Sequence, residues 1–292
     1  MKYVKSHNAR VRVSGHYVTG VLSSEFGIDF NKGDVRNLGE SRNYESVILP
    51  EQTYNASFEW FLSRYSIEPY LLGTGKFTNP FTRDYNFEYI DTNGRAILSG
   101  AYINQYSVSA AVGEIPKASI TLDCNQVFRN TGERLSITDD FGHSFRPMRP
   151  SEIKITSFGA APDTTNYCIQ SFDLSLNIAR TPITQLGTGI PSHRVPQIPI
   201  PAELTFSILQ NEYATDNLNT GIWGLNNTLS TGNFTINLVD TGNLTNLKYS
   251  LPRMTFSKAN ETLSIDGLSE LSLTYIGNVT TGVFQITTGS AP

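Results

Sequence analysis

Apolar and polar residues alternate in short runs along most of this 292-residue chain, and this period-two pattern restricts its fold more than any other feature. Residues 172–178, 204–208 and 234–238 alternate without a break, and residues 54–60 do the same. Successive side chains of a β-strand point to opposite faces of the sheet, so these runs predict strands with one buried face. Turn residues separate the runs, and helix is expected only as a turn or two within residues 66–72 and 212–218. The sequence therefore predicts an all-β fold with minor helix.

The strand pattern occurs twice in the same order. Segments of the first half resemble segments that lie 143 to 153 positions later, namely residues 10–14 with 153–157, 25–31 with 171–177, and 118–122 with 271–275. Within the second pair, Phe26 aligns with Phe172 at an offset of 146 positions. Such a repeat predicts two tandem, structurally similar β-sandwich or barrel domains. We place the first at residues 1–148, with an N-terminal arm, and the second at 149–292, with a C-terminal tail. An all-β composition that imitates a repeat is the alternative.

Charge is scarce and unevenly distributed. Charged residues form 16% of the chain and the net charge is −4; residues 1–154 hold 17 basic and 17 acidic side chains, and residues 155–292 hold 5 and 9. A protein that grips nucleic acid neutralises phosphates with many basic side chains, so tight nucleic-acid binding is not expected. A surface so poor in charge needs another source of solubility, or it is not free surface in the working state. No apolar stretch approaches 18 residues and no secretory signal is recognised, so neither a membrane span nor export is expected.

Two long polar segments, residues 32–48 and 179–198, occupy equivalent places in the two copies. Both exceed the length of a tight turn, and the second contains prolines, which cannot donate hydrogen bonds to an inner strand ladder. We therefore expect irregular loops here, with a shared role in assembly rather than idle insertion. The candidate assembly residues in these segments are Asn37, Leu38, Gly39, Leu186, Gly187, Ile190 and Arg194.

No motif for catalysis withstands inspection. The run Gly73-Thr74-Gly75-Lys76 lacks the spacing of a phosphate-binding loop, and the four histidines are too scattered for a zinc site. The pair Asp139-Asp140 is best interpreted as a turn, although carboxylates brought together only by the fold stay possible. Two cysteines, Cys124 and Cys168, are predicted to be buried free thiols. We expect neither an enzyme nor a cofactor or metal.

The chain resembles the tail tube proteins of long-tailed bacteriophages, in the form whose tube domain is duplicated in one chain. The resemblance covers nearly the whole sequence. It is carried by residues 172–178, 179–198, 200–209 and 268–276, together with their partners 26–31, 32–48, 49–62 and 115–124. These segments form an arrangement of strands and loops and include no specific motif.

The resemblance implies a β-sandwich or barrel-like unit in each copy, with a helix on its flank and a long loop that reaches the next ring. It implies strands of neighbouring units that join into a barrel around a channel. The chain would form stacked homotrimeric rings with pseudo-six-fold symmetry, or homohexameric rings. Its partners would be the tape measure and terminator proteins, with genomic DNA passing through the lumen without specific binding. Its place would be the virion tail, assembled in the host cytoplasm.

Other classes of protein remain open. A distal tail, baseplate or tail-completion protein would use the same fold in a single ring. A carbohydrate-binding β-sandwich adhesin is the next alternative, and a glycosidase with carboxylates assembled by the fold is the last.

Overall fold

Almost all of the described chain lies in antiparallel β-strands. The computed structural model describes residues 10–35, 45–63, 67–72, 75–76, 84–90, 94–130, 146–159, 168–186, 191–210, 231–239, 245–263, 269–279 and 285–287. The predicted all-β class is confirmed. One helix, α1 (Glu68–Leu72), forms where residues 66–72 predicted it. The other predicted helical segment, residues 212–218, lies outside the described residues.

The first half of the chain contributes β1 (Arg10–Val13), β2 (His16–Val18), β3 (Val21–Val35), β4 (Glu45–Phe61), β5 (Gly75–Lys76), β6 (Tyr85–Ile90), β7 (Arg95–Ala111), β8 (Lys117–Cys124) and β9 (Gln126–Asn130). A 3-10 turn at Pro150–Glu152 leads into the second half. That half contributes β10 (Ile153–Gly159), β11 (Cys168–Asn177), β12 (Arg180–Ile183), β13 (His193–Pro196), β14 (Ile200–Gln210), β15 (Thr231–Val239), β16 (Thr245–Leu263), β17 (Ser269–Val279) and β18 (Gln285–Thr287).

A single 16-stranded sheet passes through both halves, and β12 and β13 form a separate two-stranded sheet. The main path of the large sheet runs β10-β15-β16-β17-β14-β11-β7-β6-β1-β2. The strands β3, β4, β8 and β9 attach to this path in the first half, while β18 attaches in the second and carries β5. The step from β11 to β7 joins one half directly to the other.

Strands pair in the same pattern in the two halves. In the first half the chain of neighbours is β1–β6–β7–β8–β4–β3, and in the second it is β10–β15–β16–β17–β14–β11. In addition, β9 pairs with β7 as β18 pairs with β16. Every pairing in this series of neighbouring strands in the first half thus has a counterpart in the second.

The register of pairing also agrees. Phe26 pairs with Ala56 in the first half, and the residues 148 positions further on, Leu174 and Leu204, pair in the second. The predicted alignment of Phe26 with Phe172 is therefore wrong by two residues. A shift of two residues leaves the alternation of a strand unchanged, so sequence pattern alone does not distinguish the two registers.

β-Bulges occur at matching positions. The pairing of β7 with β8 shifts between Ile103 and Gln105, and the pairing of β16 with β17 shifts between Phe256 and Lys258, 153 positions later. A bulge adds one unpaired residue at a defined point of a ladder, and it bends the strand there. The halves therefore share local irregularities as well as regular pairing.

The two polar segments that were predicted to be irregular loops contain paired strands, and that prediction is wrong for their described parts. In the first segment β3 runs to Val35 and β4 begins at Glu45, with Lys32 opposite Ile48. In the second, β12 and β13 pair, with Arg180 opposite Pro196. Prolines are tolerated in the second segment because a two-stranded ribbon has outer edges that need no partner.

Aromatic side chains fill equivalent positions of the core. In the first half the rings of Phe58 and Phe87 stack with centroids 5.0 Å apart. In the second half Phe206 and Phe234 lie 5.2 Å apart, and Phe234 meets Tyr275 edge-on at 4.6 Å. Burial of one such side chain contributes about 2–3 kcal/mol to the free energy of unfolding, so these clusters stabilise each half.

Candidate assembly site

The junction between the halves is an uninterrupted antiparallel pairing of β7 with β11. The paired positions run from Ala111 opposite Ser171 to Gln105 opposite Asn177. One further backbone hydrogen bond extends the ladder at each end, from the Val112 amide to the Gln170 carbonyl at 2.8 Å and from the Ile178 amide to the Asn104 carbonyl at 2.6 Å. The halves are therefore joined edge to edge, through backbone groups.

Apolar side chains support this junction on its inner face. Leu174 lies opposite Val108, and Leu176 lies opposite Tyr106. All four side chains are buried. The junction is consequently part of the hydrophobic core, and separating the halves would expose these side chains to water.

The β12–β13 hairpin (residues 180–196) is fastened to the first half by Arg194, a residue that the sequence analysis selected. Its side chain is 6% exposed. Its Nε donates to the Asn125 side-chain oxygen at 3.1 Å, and one terminal nitrogen donates to the Cys124 carbonyl at 3.5 Å. The other terminal nitrogen lies 3.7 Å from a carboxylate oxygen of Asp123. Burial raises the pKa of that carboxyl, and the nearby Arg194 opposes the shift.

A second arginine of the hairpin, Arg180, reinforces the contact. It donates to the Ile103 carbonyl at 3.0 Å and to the Arg194 carbonyl at 3.2 Å. Its guanidinium carbon lies 5.1 Å from the ring centroid of Tyr102. Burial lowers the pKa of Arg180 to about 10, so the side chain stays protonated at neutral pH. The buried Arg194 and the half-buried Arg180 thus place positive charges against carbonyls, a carboxylate and an aromatic ring of the first half.

A buried polar cluster lies behind the junction. The Trp60 ring nitrogen donates to a carboxylate oxygen of Glu68 at 3.1 Å. Burial raises the pKa of Glu68 to about 7. The hydroxyls of Tyr106 and Tyr249 form a hydrogen bond of 2.7 Å, and burial raises the pKa of both phenols well above the usual value. Because Tyr249 belongs to the second half, this hydrogen bond also joins the halves.

The other residues selected from sequence are placed only in part. Leu186 is fully exposed at the end of the β12 arm. The remaining candidates, Asn37, Leu38, Gly39, Gly187 and Ile190, lie outside the described residues. The prediction of a free buried thiol is confirmed for Cys124, whose pKa burial raises to about 12. The side chain of Cys168 lies outside the described part of the structure.

The partners of Arg194 are not apparent from the sequence. Asp123 and Asn125 lie 71 and 69 positions before it, in and just beyond β8. Nothing in their local sequence marks them, because β8 has the ordinary alternation of a half-buried strand. Only the fold brings them to the hairpin.

The arrangement joins the two halves of the chain through backbone pairing, buried apolar side chains and arginine contacts. Among the described residues there is no group of three or more His, Cys, Asp or Glu side chains that could hold a metal ion. A cleft of about 210 Å³ at one end of the junction is lined by Val112, Pro150, Ile155, Ile169 and their neighbours, and none of its lining side chains is titratable. In the part of the chain that the structure describes, no helix has the length and apolar character needed to cross a membrane.

Comparison with protein-family models and with curated proteins finds no match for this chain.

Proposed function

We propose that the protein is a self-assembling structural protein that forms the tail tube of a long-tailed bacteriophage. The observation that carries the proposal is the β7–β11 junction, which joins two halves of like strand pairing edge to edge. In this proposal the halves, residues 1–148 and 149–292, are duplicated tube modules. The residue-for-residue agreement of their registers and bulges supports a duplication.

Edge-to-edge joining of like modules is a head-to-tail contact. Such a contact gives a closed ring when its rotation divides a full turn. We propose homotrimeric rings of pseudo-six-fold symmetry, or homohexameric rings, that stack into a tube and contact tape measure and terminator proteins in the virion. A wall that is poor in basic side chains suits passage of DNA, because it leaves the phosphates unbound. Residues 155–292, with 5 basic and 9 acidic side chains, meet this requirement best.

The proposal is tested by imaging the purified chain. At increasing concentration, negative-stain electron microscopy should show rings or tubes with a central channel, and light scattering should give a mass that is a multiple of 32.3 kDa. Filaments that lengthen with concentration support the tube, whereas single rings that never stack support a distal tail or tail-completion protein. A chain that remains monomeric over a wide range of salt and concentration contradicts the proposal. Glycan-array binding by that monomer would favour an adhesin instead.

A further inference from the structure

The two strand edges that form the junction inside the chain have counterparts that pair on one side only among the described strands. The counterpart of β11 is β3, which pairs only with β4 among the described strands. The counterpart of β7 is β16, whose residues 256–263 pair on one side only, with β17, among the described strands. Each chain therefore presents a second pair of such edges, one in each half, like the pair that it joins in its middle.

The registers of the two halves fix how these edges would meet. Asp173 pairs with Thr205 in the second half, and the residues 148 positions earlier, Glu25 and Ser57, pair in the first half. Ser109 pairs with Lys117 in the first half, and the residues 153 positions later, Thr262 and Glu270, pair in the second half. Because Ser109 lies opposite Asp173 in the internal junction, its counterpart Thr262 should lie opposite Glu25.

We infer that the outer edge of β16 binds the outer edge of β3 in a second copy of this chain, antiparallel, with Thr262 opposite Glu25 and Lys258 opposite Asp29. The inference rests on the proposed function and specifies the contact that assembly would use. Lys258, Thr262 and Glu25 have exposed side chains, so the edge is accessible to a partner. An edge strand offers a row of backbone donors and acceptors to another chain, and a basic residue opposite an acidic one favours this register over neighbouring ones.

The proposed junction between copies differs from the internal junction in the side-chain contacts that flank the paired strands. At the internal junction the ion pair of Arg194 with Asp123 fastens the β12–β13 hairpin. In the first half, the counterpart of Arg194 is Ser46, 148 positions earlier. In the second half, the counterpart of Asp123 is Ile276, 153 positions later, and its side chain is 42% exposed. The contact between copies therefore lacks this ion pair and has an apolar surface in its place. It should dissociate at a lower urea concentration than the one that unfolds the chain.

Disulfide cross-linking tests the register. The double variant Thr262→Cys/Glu25→Cys is assembled, oxidised and run on a non-reducing gel, where we expect a ladder of covalent oligomers. A mixture of the two single variants should give covalent dimers and nothing larger, because each chain then carries only one of the two introduced cysteines. The matched control is Lys258→Cys/Glu25→Cys, in which both positions are exposed but lie four residues out of register. The parent chain controls for Cys124 and Cys168.

A charge exchange checks the same register without introducing thiols. Lys258→Glu should lower the fraction of assembled chain at least threefold, and Lys258→Glu/Asp29→Lys should restore it. If rings form but the control variant cross-links as well as Thr262→Cys/Glu25→Cys, the inference is overturned and the proposed function stands. The same holds if rings form and neither variant cross-links. A parent chain that never assembles overturns both.

Discussion

The hydroxyl groups of Tyr106 and Tyr249 lie 2.7 Å apart in the core, although the two residues belong to different halves of the chain. Tyr106 is on β7, within the junction, and Tyr249 is near the start of β16. Both side chains are fully buried, where a hydrogen bond is stronger than in water and an unmade one is costly. The halves thus share a polar contact in the core in addition to their backbone pairing.

Removing either hydroxyl should destabilise the protein. Tyr106→Phe and Tyr249→Phe should each lower the free energy of unfolding by about 1–2 kcal/mol, because the remaining hydroxyl loses this hydrogen bond in a buried place. The double variant should cost less than the sum of the two single effects, since it removes both partners together. Urea denaturation followed by tryptophan fluorescence measures all three. Tyr17→Phe, at an exposed tyrosine, is the control, and additive effects at 106 and 249 would contradict the coupling.

Stability should fall as pH rises through neutrality because of Glu68. Its pKa is raised from 4.5 to about 7 in the folded protein, so the folded state binds more protons than the unfolded state between these values. The stabilisation is complete below pH 4.5 and is lost as pH rises through about 7, at a cost of about 3 kcal/mol for a shift of this size. Glu68→Gln should remove this dependence, with Glu114→Gln at an exposed site as control. Parallel pH profiles for Glu68→Gln and the parent would contradict the assignment.

The β12–β13 hairpin should detach when Arg194 is replaced. Arg194→Ala should lower the free energy of unfolding by about 2–4 kcal/mol, because Asp123 stays partly buried without this partner. Arg194→Lys should not restore it, since an ammonium group cannot reproduce the fork of donors to Asn125 and Cys124. Hydrogen exchange of residues 180–196 and urea denaturation measure the effect. Val195→Ala changes the neighbouring, half-exposed side chain and should leave both readouts near those of the parent.

The backbone at Gly100 should not accept a side chain. Gly100 has φ +59°, and a Cβ there would lie 2.8 Å from the Asn125 side-chain nitrogen. Gly100→Ala should therefore cost about 1–2 kcal/mol for the left-handed backbone, plus the displacement of Asn125 from Arg194. Gly113, with φ +86° and no atom within 4 Å of an added Cβ, supplies the matched control. If both substitutions cost the same, the contact with Asn125 contributes nothing.

Local sequence predicted the strands well and their long-range relations poorly. The runs at 204–208 and 234–238 lie within β14 and β15, as alternation requires. The hairpin at Arg180–Pro196 has the sequence pattern of a loop, because its prolines interrupt the strand signal although a two-stranded ribbon accommodates them. Arg194 was selected, but its partners lie about 70 residues away and resemble any other strand residues. Register and tertiary contacts depend on which strands meet, and alternation does not encode this.

The position of the β7–β11 junction within one polypeptide has a consequence for dilution. An interface between separate molecules dissociates as protein concentration falls, whereas two strands of one chain remain at a high effective concentration however dilute the sample is. This junction is therefore independent of concentration, and any junction between copies is not. In a closed ring of such chains, alternate joints would resist dilution and the others would open, so the smallest product of dissociation is a joined pair of modules.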